Sequence, residues 1–158
     1  MPTRQELVYK RLTEEGNKML AALNALLPEQ RMRTVYTDRA TWTVKDILAH
    51  QVSTERTIRV LVDNILAGGQ GAPEGFSIDS FNAIKVAKMA GMSWEELAEA
   101  FRAARADTAE LAVRLTDEQL ARRGRHPFLG VTSVEDILQM LYRHNMMHVR
   151  DIRRALGA

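Results

Sequence analysis

The chain has 158 residues, 46% of them hydrophobic and 6% aromatic, and a net charge of +2 at neutral pH. That length suits one domain over residues 1–158 with a core of its own, and falls short of two. With no cysteine, disulfides, thiolate metal sites and a cysteine nucleophile are excluded, and so small a net charge gives no reason to expect a nucleic-acid partner.

The opening MPTRQELVYKRL is polar and mixed in charge, without an apolar signal region. No run of about eighteen apolar residues follows that could cross a membrane. A cytoplasmic protein with no membrane partner is expected.

Helical periodicity then dominates. In residues 5–27, Val8, Leu12, Met19, Leu23, Leu26 and Leu27 share one face. Gly16 lies on that face, where it lets a neighbour approach closely. Pro28 closes the segment. The second helix starts in Trp42–Leu48, with Thr43 as N-cap and Asp46 favouring the first-turn amides. Its apolar face runs Val44, Ile47, Leu48, Ile58, Leu61, Val62 and Ile65, and Gly68-Gly69 ends it. The third long helix starts with a Ser93/Glu96 capping box and carries Leu97, Phe101, Ala104, Thr108, Leu111 and Leu115. The fourth starts near Thr132-Ser133 and carries Val134, Ile137, Leu138, Leu141, Ile152 and Leu156.

No alternating strand pattern is visible. TVKDIL at 43–48 and SVEDIL at 133–138 are alike, which reads as two helices starting by the same capping logic rather than as a full internal repeat. Residues 28–42, 68–92 and 116–131 connect the helices, with short helical turns expected near 79–88 and 117–122. The expected fold is all-α, a four-helix bundle whose long connections permit crossovers. Such loops are also where binding residues concentrate.

Two of the four histidines fall in RHNMMH at 143–148. On a wheel of about 100° per residue, His144 and His148 share the side of Ile137, Leu141 and Ile152. Arg143, Arg150, Arg153 and Arg154 occupy the other side and read as a solvated face, without the aromatic interleaving that stacks on nucleic acid. An isolated i,i+4 pair on an apolar stripe reads first as two core histidines satisfied by their neighbours. The same spacing suits chelation of one ion, and two uncoordinated buried imidazoles oppose each other's protonation. His50, on the flank of the second helix's apolar face, supplies a third inward imidazole. His126, in the loop RGRHPFLG, is expected at the surface or the rim and not as a ligand.

Trp-Thr-Val-Lys-Asp-Ile-Leu-Ala-His at 42–50, followed by His-Asn-Met-Met-His on the last helix, resembles the DinB-like (DinB/YfiT) family of four-helix-bundle candidate metalloenzymes. The likeness covers most of the chain in organisation; only those two segments are specific. Carried over by residue, it implies that His50, His144 and His148 ligate a divalent ion. Imidazole accepts zinc, nickel or iron, so the metal is not chosen. Three neutral ligands leave an open position, as catalytic sites do.

The resemblance further implies a metal-dependent enzyme acting on a small molecule. The expected activity is that of an S-transferase or isomerase using a low-molecular-weight thiol such as bacillithiol or mycothiol. The alternative is a non-catalytic small-molecule-binding or resistance protein that uses the bundle cavity.

Three acids are candidate partners of the ligands. Asp46 also reads as a cap, and Asp151 as a salt-bridge partner of a nearby arginine. Glu55, inside an apolar face, either orients a ligand or meets a buried arginine. The loop 68–82 could cover the open position. Asn82, with Arg125 or His126, could contact an acidic group, although each also reads as an ordinary loop residue. Met140, Met147, Met89 and Met92 form a homodimer face or pad the core.

Overall fold

The computed structural model describes residues 1–157. In chain order the elements are α1 (Arg4–Asn24), α2 (Pro28–Arg31), β1 (Thr34–Tyr36), β2 (Trp42–Thr43), α3 (Val44–Leu66), α4 (Ile78–Lys88), α5 (Trp94–Arg114), α6 (Asp117–Ala121), β3 (Arg123–His126), β4 (Gly130–Ser133) and α7 (Val134–Ala155). The fold is a four-helix bundle of α1, α3, α5 and α7. Helix α1 packs on α5 and α7, and α3 packs on the same two.

The helix starts follow the capping chemistry. Thr3, Thr43 and Ser93 each accept from the backbone N–H of the residue three on, and Glu6, Asp46 and Glu96 reach back to the cap. Ser133 accepts from Asp136 N. Asp46 is committed to this cap, accepting from Thr43 N at 2.9 Å and from the Thr43 hydroxyl at 3.1 Å.

Two features differ from the sequence reading. Short antiparallel hairpins, β1–β2 and β3–β4, precede α3 and α7. Strands of two to four residues are too short to show an alternating pattern in sequence. The TVKDIL/SVEDIL likeness also marks a longer correspondence. Long helix, short helix, hairpin and long helix occur in that order twice, with α4 between the two sets. One offset separates Thr3 from Ser93, Thr43 from Ser133 and Val44 from Val134. Matching bonds close both hairpins: Val44 N donates to Arg33 O at 3.0 Å and Val134 N to Arg122 O at 2.9 Å. The side chains diverge because a pleat and a packed stripe require only a size and polarity class at most positions, whereas a cap requires specific oxygens.

The buried apolar residues form two clusters. One joins Val8, Leu12, Ile58, Val62, Ile65, Ala109, Ala112 and Ile137; the other joins Met19, Leu23, Val44, Ile47, Leu48, Leu97, Phe101 and Ile152. Along each long helix the clusters are separated by a buried small or polar residue: Gly16 on α1, Glu55 on α3, Arg105 on α5 and Asn145 on α7. A polar layer therefore crosses the middle of the bundle. Met89 and Met92 pack against the second cluster, while Met146 and Met147 are exposed.

Candidate metal centre

The histidines lie at the level of this polar layer. His50 follows the first two turns of α3; His144 and His148 lie one turn apart on α7. Two Nε2–Nε2 distances are short, 3.1 Å from His50 to His144 and 2.9 Å from His144 to His148. The three candidate ligand atoms all lie within 4.8 Å of one another. His50 and His148 are buried and His144 half-buried. The rings stand nearly perpendicular, with interplanar angles of 74°, 83° and 86°. Trp42 covers one side of His50, with ring centroids 4.9 Å apart.

Burial holds all three imidazoles in the neutral form. It pushes His50 down to about 3, helped by His148, and His148 down to about 4 against a small opposing pull from Asp151. His144 lies well below its ordinary value through burial and the nearby His148 and His50. At neutral pH each ring therefore has one bare nitrogen, the form that ligates a metal.

Whether these residues fit a metal can be tested by counting protons. The His144 Nε2 atom faces both other Nε2 atoms. If it carries the ring proton, it has one hydrogen for two acceptors; if it does not, it meets other lone pairs or needs both neighbours to donate. A cation accepts all three lone pairs at once. With metal–nitrogen bonds of about 2.0–2.1 Å, two ligands of a tetrahedral ion sit about 3.3 Å apart, close to the spacings found. The residues fit the group.

The outer nitrogens differ. The Tyr36 hydroxyl lies 2.8 Å from His148 Nδ1 and donates to Asp151 Oδ2 at 2.5 Å. Its phenol is held above the ordinary tyrosine value, by burial first and by Asp151 second. Burial pushes the Asp151 carboxyl up, but hydrogen bonds from Tyr36 and Arg150 outweigh it and leave the group below the usual carboxylate range. The Nδ1 atoms of His50 and His144 have no hydrogen-bond partner among the described residues.

Beside the histidines runs a buried polar chain. Arg105 donates to Glu55 at 2.6 Å, to Asn145 Oδ1 at 2.5 Å and to Leu12 O at 2.9 Å, and Asn145 donates to Gln51 at 2.5 Å. Gln51 adjoins His50 in sequence and Asn145 adjoins His144, so this chain ties together the two helices that carry the cluster.

Of the expected partners, Glu55 meets a buried arginine and Asp46 caps its helix. Asp151 pairs with Arg150 at 3.3 Å and reaches His148 through Tyr36. His126 corrects the surface expectation. It is 6% exposed on β3, and its Nδ1 accepts from Phe128 N and Leu129 N, both at 3.0 Å. The tight hairpin after it turns those amides back onto the ring, which a loop reading does not anticipate. Arg125 pairs with Glu74 at 3.2 Å, and Asn82 lies on α4. Tyr36 and Arg105 escaped the sequence reading. Arg105 had a signal, one helical turn from both Phe101 and Ala109 on the apolar stripe; Tyr36, in a connection, had none.

A profile of the DinB superfamily matches residues 11–152. No curated protein matches the chain by sequence. YfiT from Bacillus subtilis, described as a probable metal-dependent hydrolase with an unusual four-helix bundle topology, is similar in structure with a TM-score of 0.77. The identity is 18%, and the match covers 97% of this chain and 87% of that one. The mycothiol-dependent maleylpyruvate isomerase gives a TM-score of 0.74 at 14% identity, covering 96% of this chain. This chain spans only 63% of the isomerase's length. At such identities the likeness is one of fold.

Proposed function

The chain belongs to the DinB superfamily, and from that premise we propose that His50, His144 and His148 hold one divalent ion through Nε2 in an enzyme that acts on a small molecule. The observation that carries this reading is the convergence of three imidazole nitrogens, two of them on buried histidines and one on a half-buried one, within 4.8 Å. The donor set suits zinc, nickel or iron.

A divalent ion held by three neutral ligands keeps its charge and an open position, and supplies the acidity that deprotonates a thiol or a water. The protein's own part is to keep the imidazoles unprotonated by burial, to shield His50 behind Trp42, and to hold α3 against α7 through the Gln51–Asn145–Arg105 chain. The fold likeness to the mycothiol-dependent isomerase supports assigning the activity to the class of thiol-dependent S-transferases and isomerases, with a low-molecular-weight thiol as co-substrate; with no cysteine in the sequence, the reacting sulfur of that chemistry would be the co-substrate's. The same reading treats residues 1–158 as one domain.

The test begins with elemental analysis of untagged protein, where about one equivalent of divalent metal is expected and His144→Ala loses it. A transfer assay with bacillithiol or mycothiol and an electrophilic acceptor then compares wild type with His50→Ala. Metal-free protein whose stability is unchanged in His144→Ala would replace the metal reading with the non-catalytic cavity-binding one.

A further inference from the structure

We propose that Tyr36, braced by Asp151, is a positioning residue that locks His148 in the tautomer with its proton on Nδ1 and its lone pair on Nε2, aimed at the ion. This inference rests on the metal reading above for its purpose, but its geometry stands on hydrogen bonds already described.

A phenol has one proton and an ionised carboxylate has none to give. The 2.5 Å contact between Tyr36 Oη and Asp151 Oδ2 therefore uses the tyrosine's proton. The Tyr36 oxygen then offers only lone pairs to His148, 2.8 Å away. That contact is a hydrogen bond only if His148 Nδ1 carries the hydrogen and donates it. The neutral ring has a single N–H, so Nε2 is bare, and Nε2 is the atom that faces His144 at 2.9 Å.

The chain assembles this relay from two directions. Asp151 lies three residues after His148, on an adjoining part of the α7 surface. Tyr36 arrives from β1, which packs on α7, and its ring meets the His148 ring edge-on, with centroids 5.7 Å apart. The brace matters because the other two rings lack one: among the described residues, Nδ1 of His50 and of His144 is unpartnered. His148 is thus the candidate ligand whose tautomer is decided by side chains outside the cluster. Partners of this kind raise ligand basicity, and their loss weakens metal binding about 10–100-fold.

The experiment uses the full chain as wild type, Tyr36→Phe and Asp151→Asn. Long-range nitrogen–proton NMR of the metal-free proteins at neutral pH reads the His148 tautomer, and chelator competition with zinc ions reads affinity. Wild type is expected to show the Nδ1–H form at His148. Tyr36→Phe, which keeps the ring and its packing, is expected to show a tautomer mixture and a zinc affinity lower by about 10–100-fold. Asp151→Asn keeps an acceptor for the phenol and is expected to fall between the two.

An Nε2–H tautomer in wild type, or a Tyr36→Phe protein that binds zinc as tightly as wild type, would overturn the lock. A wild type that binds none of zinc, nickel and iron would overturn the metal reading instead, and the tautomer would still decide the lock.

Discussion

Replacing Arg105 with leucine is expected to destabilise the protein by about 3–5 kcal/mol, the range for removing one partner of a buried ion pair. The structure puts Arg105 at that level. The Arg105 and Glu55 side chains are 5% and 1% exposed and lie 2.6 Å apart, so the leucine variant leaves a carboxylate buried with no counter-charge. Asn145 Oδ1 loses its donor as well. For a chain of 158 residues this lowers the melting temperature by roughly 6–20 °C.

The pair itself is not a strong net stabiliser. Among the described residues Arg105 Nε and Glu55 Oε2 are buried without partners, and each such atom offsets part of the Coulomb attraction. The double variant Arg105→Leu/Glu55→Leu is therefore expected to be more stable than either single variant. Urea unfolding of the four proteins at pH 7 gives the coupling directly. A double variant whose loss equals the sum of the two single losses, or an Arg105→Leu cost below about 1 kcal/mol, would refute the reasoning.

Two further predictions follow from the same layer. A Cβ on Gly16 would lie 3.0 Å from both Cγ and Nη1 of Arg105, a side chain held by three hydrogen bonds and unable to step aside. Gly16→Ala should therefore destabilise the wild type by about 1–2 kcal/mol despite the better helix propensity of alanine. In the Arg105→Leu background the same change should cost less or stabilise, and equal costs in both would refute the contact. The second prediction concerns acid. His50 and His148 are held at about 3 and about 4 in the folded, metal-free protein, below the unfolded value of about 6.5. Between those values the unfolded chain binds more protons, so stability rises with pH. It is fully present above about 6.5 and falls as the pH drops toward 4, by on the order of 3 kcal/mol for His148. Urea midpoints from pH 7 to 4.5 should show this slope, and His148→Ala should flatten it; a flat wild-type profile refutes it.

The part of the molecule written locally was legible in the sequence. Thr43, Ser93 and Ser133 announce helix starts because a cap is a contact between residues three apart. The apolar faces are legible because helical periodicity is local, and His144 and His148 share a face for the same reason. The same periodicity turned His50 inward from the second helix, and the resemblance of residues 42–50 and 144–148 to a known family implied that the three histidines act together. The remaining features depend on distance across the chain. Tyr36 meets His148 and Asp151 only because a three-residue strand packs on α7, and Arg105 meets Glu55, Asn145 and Leu12 O only where four helices converge. The hairpins before α3 and α7 are too short for their own periodicity to register. Local chemistry determined where helices begin and which faces they bury. Only the packing of those faces decided which polar groups meet, because a buried donor or charge is held by whatever partner the fold brings within hydrogen-bonding distance.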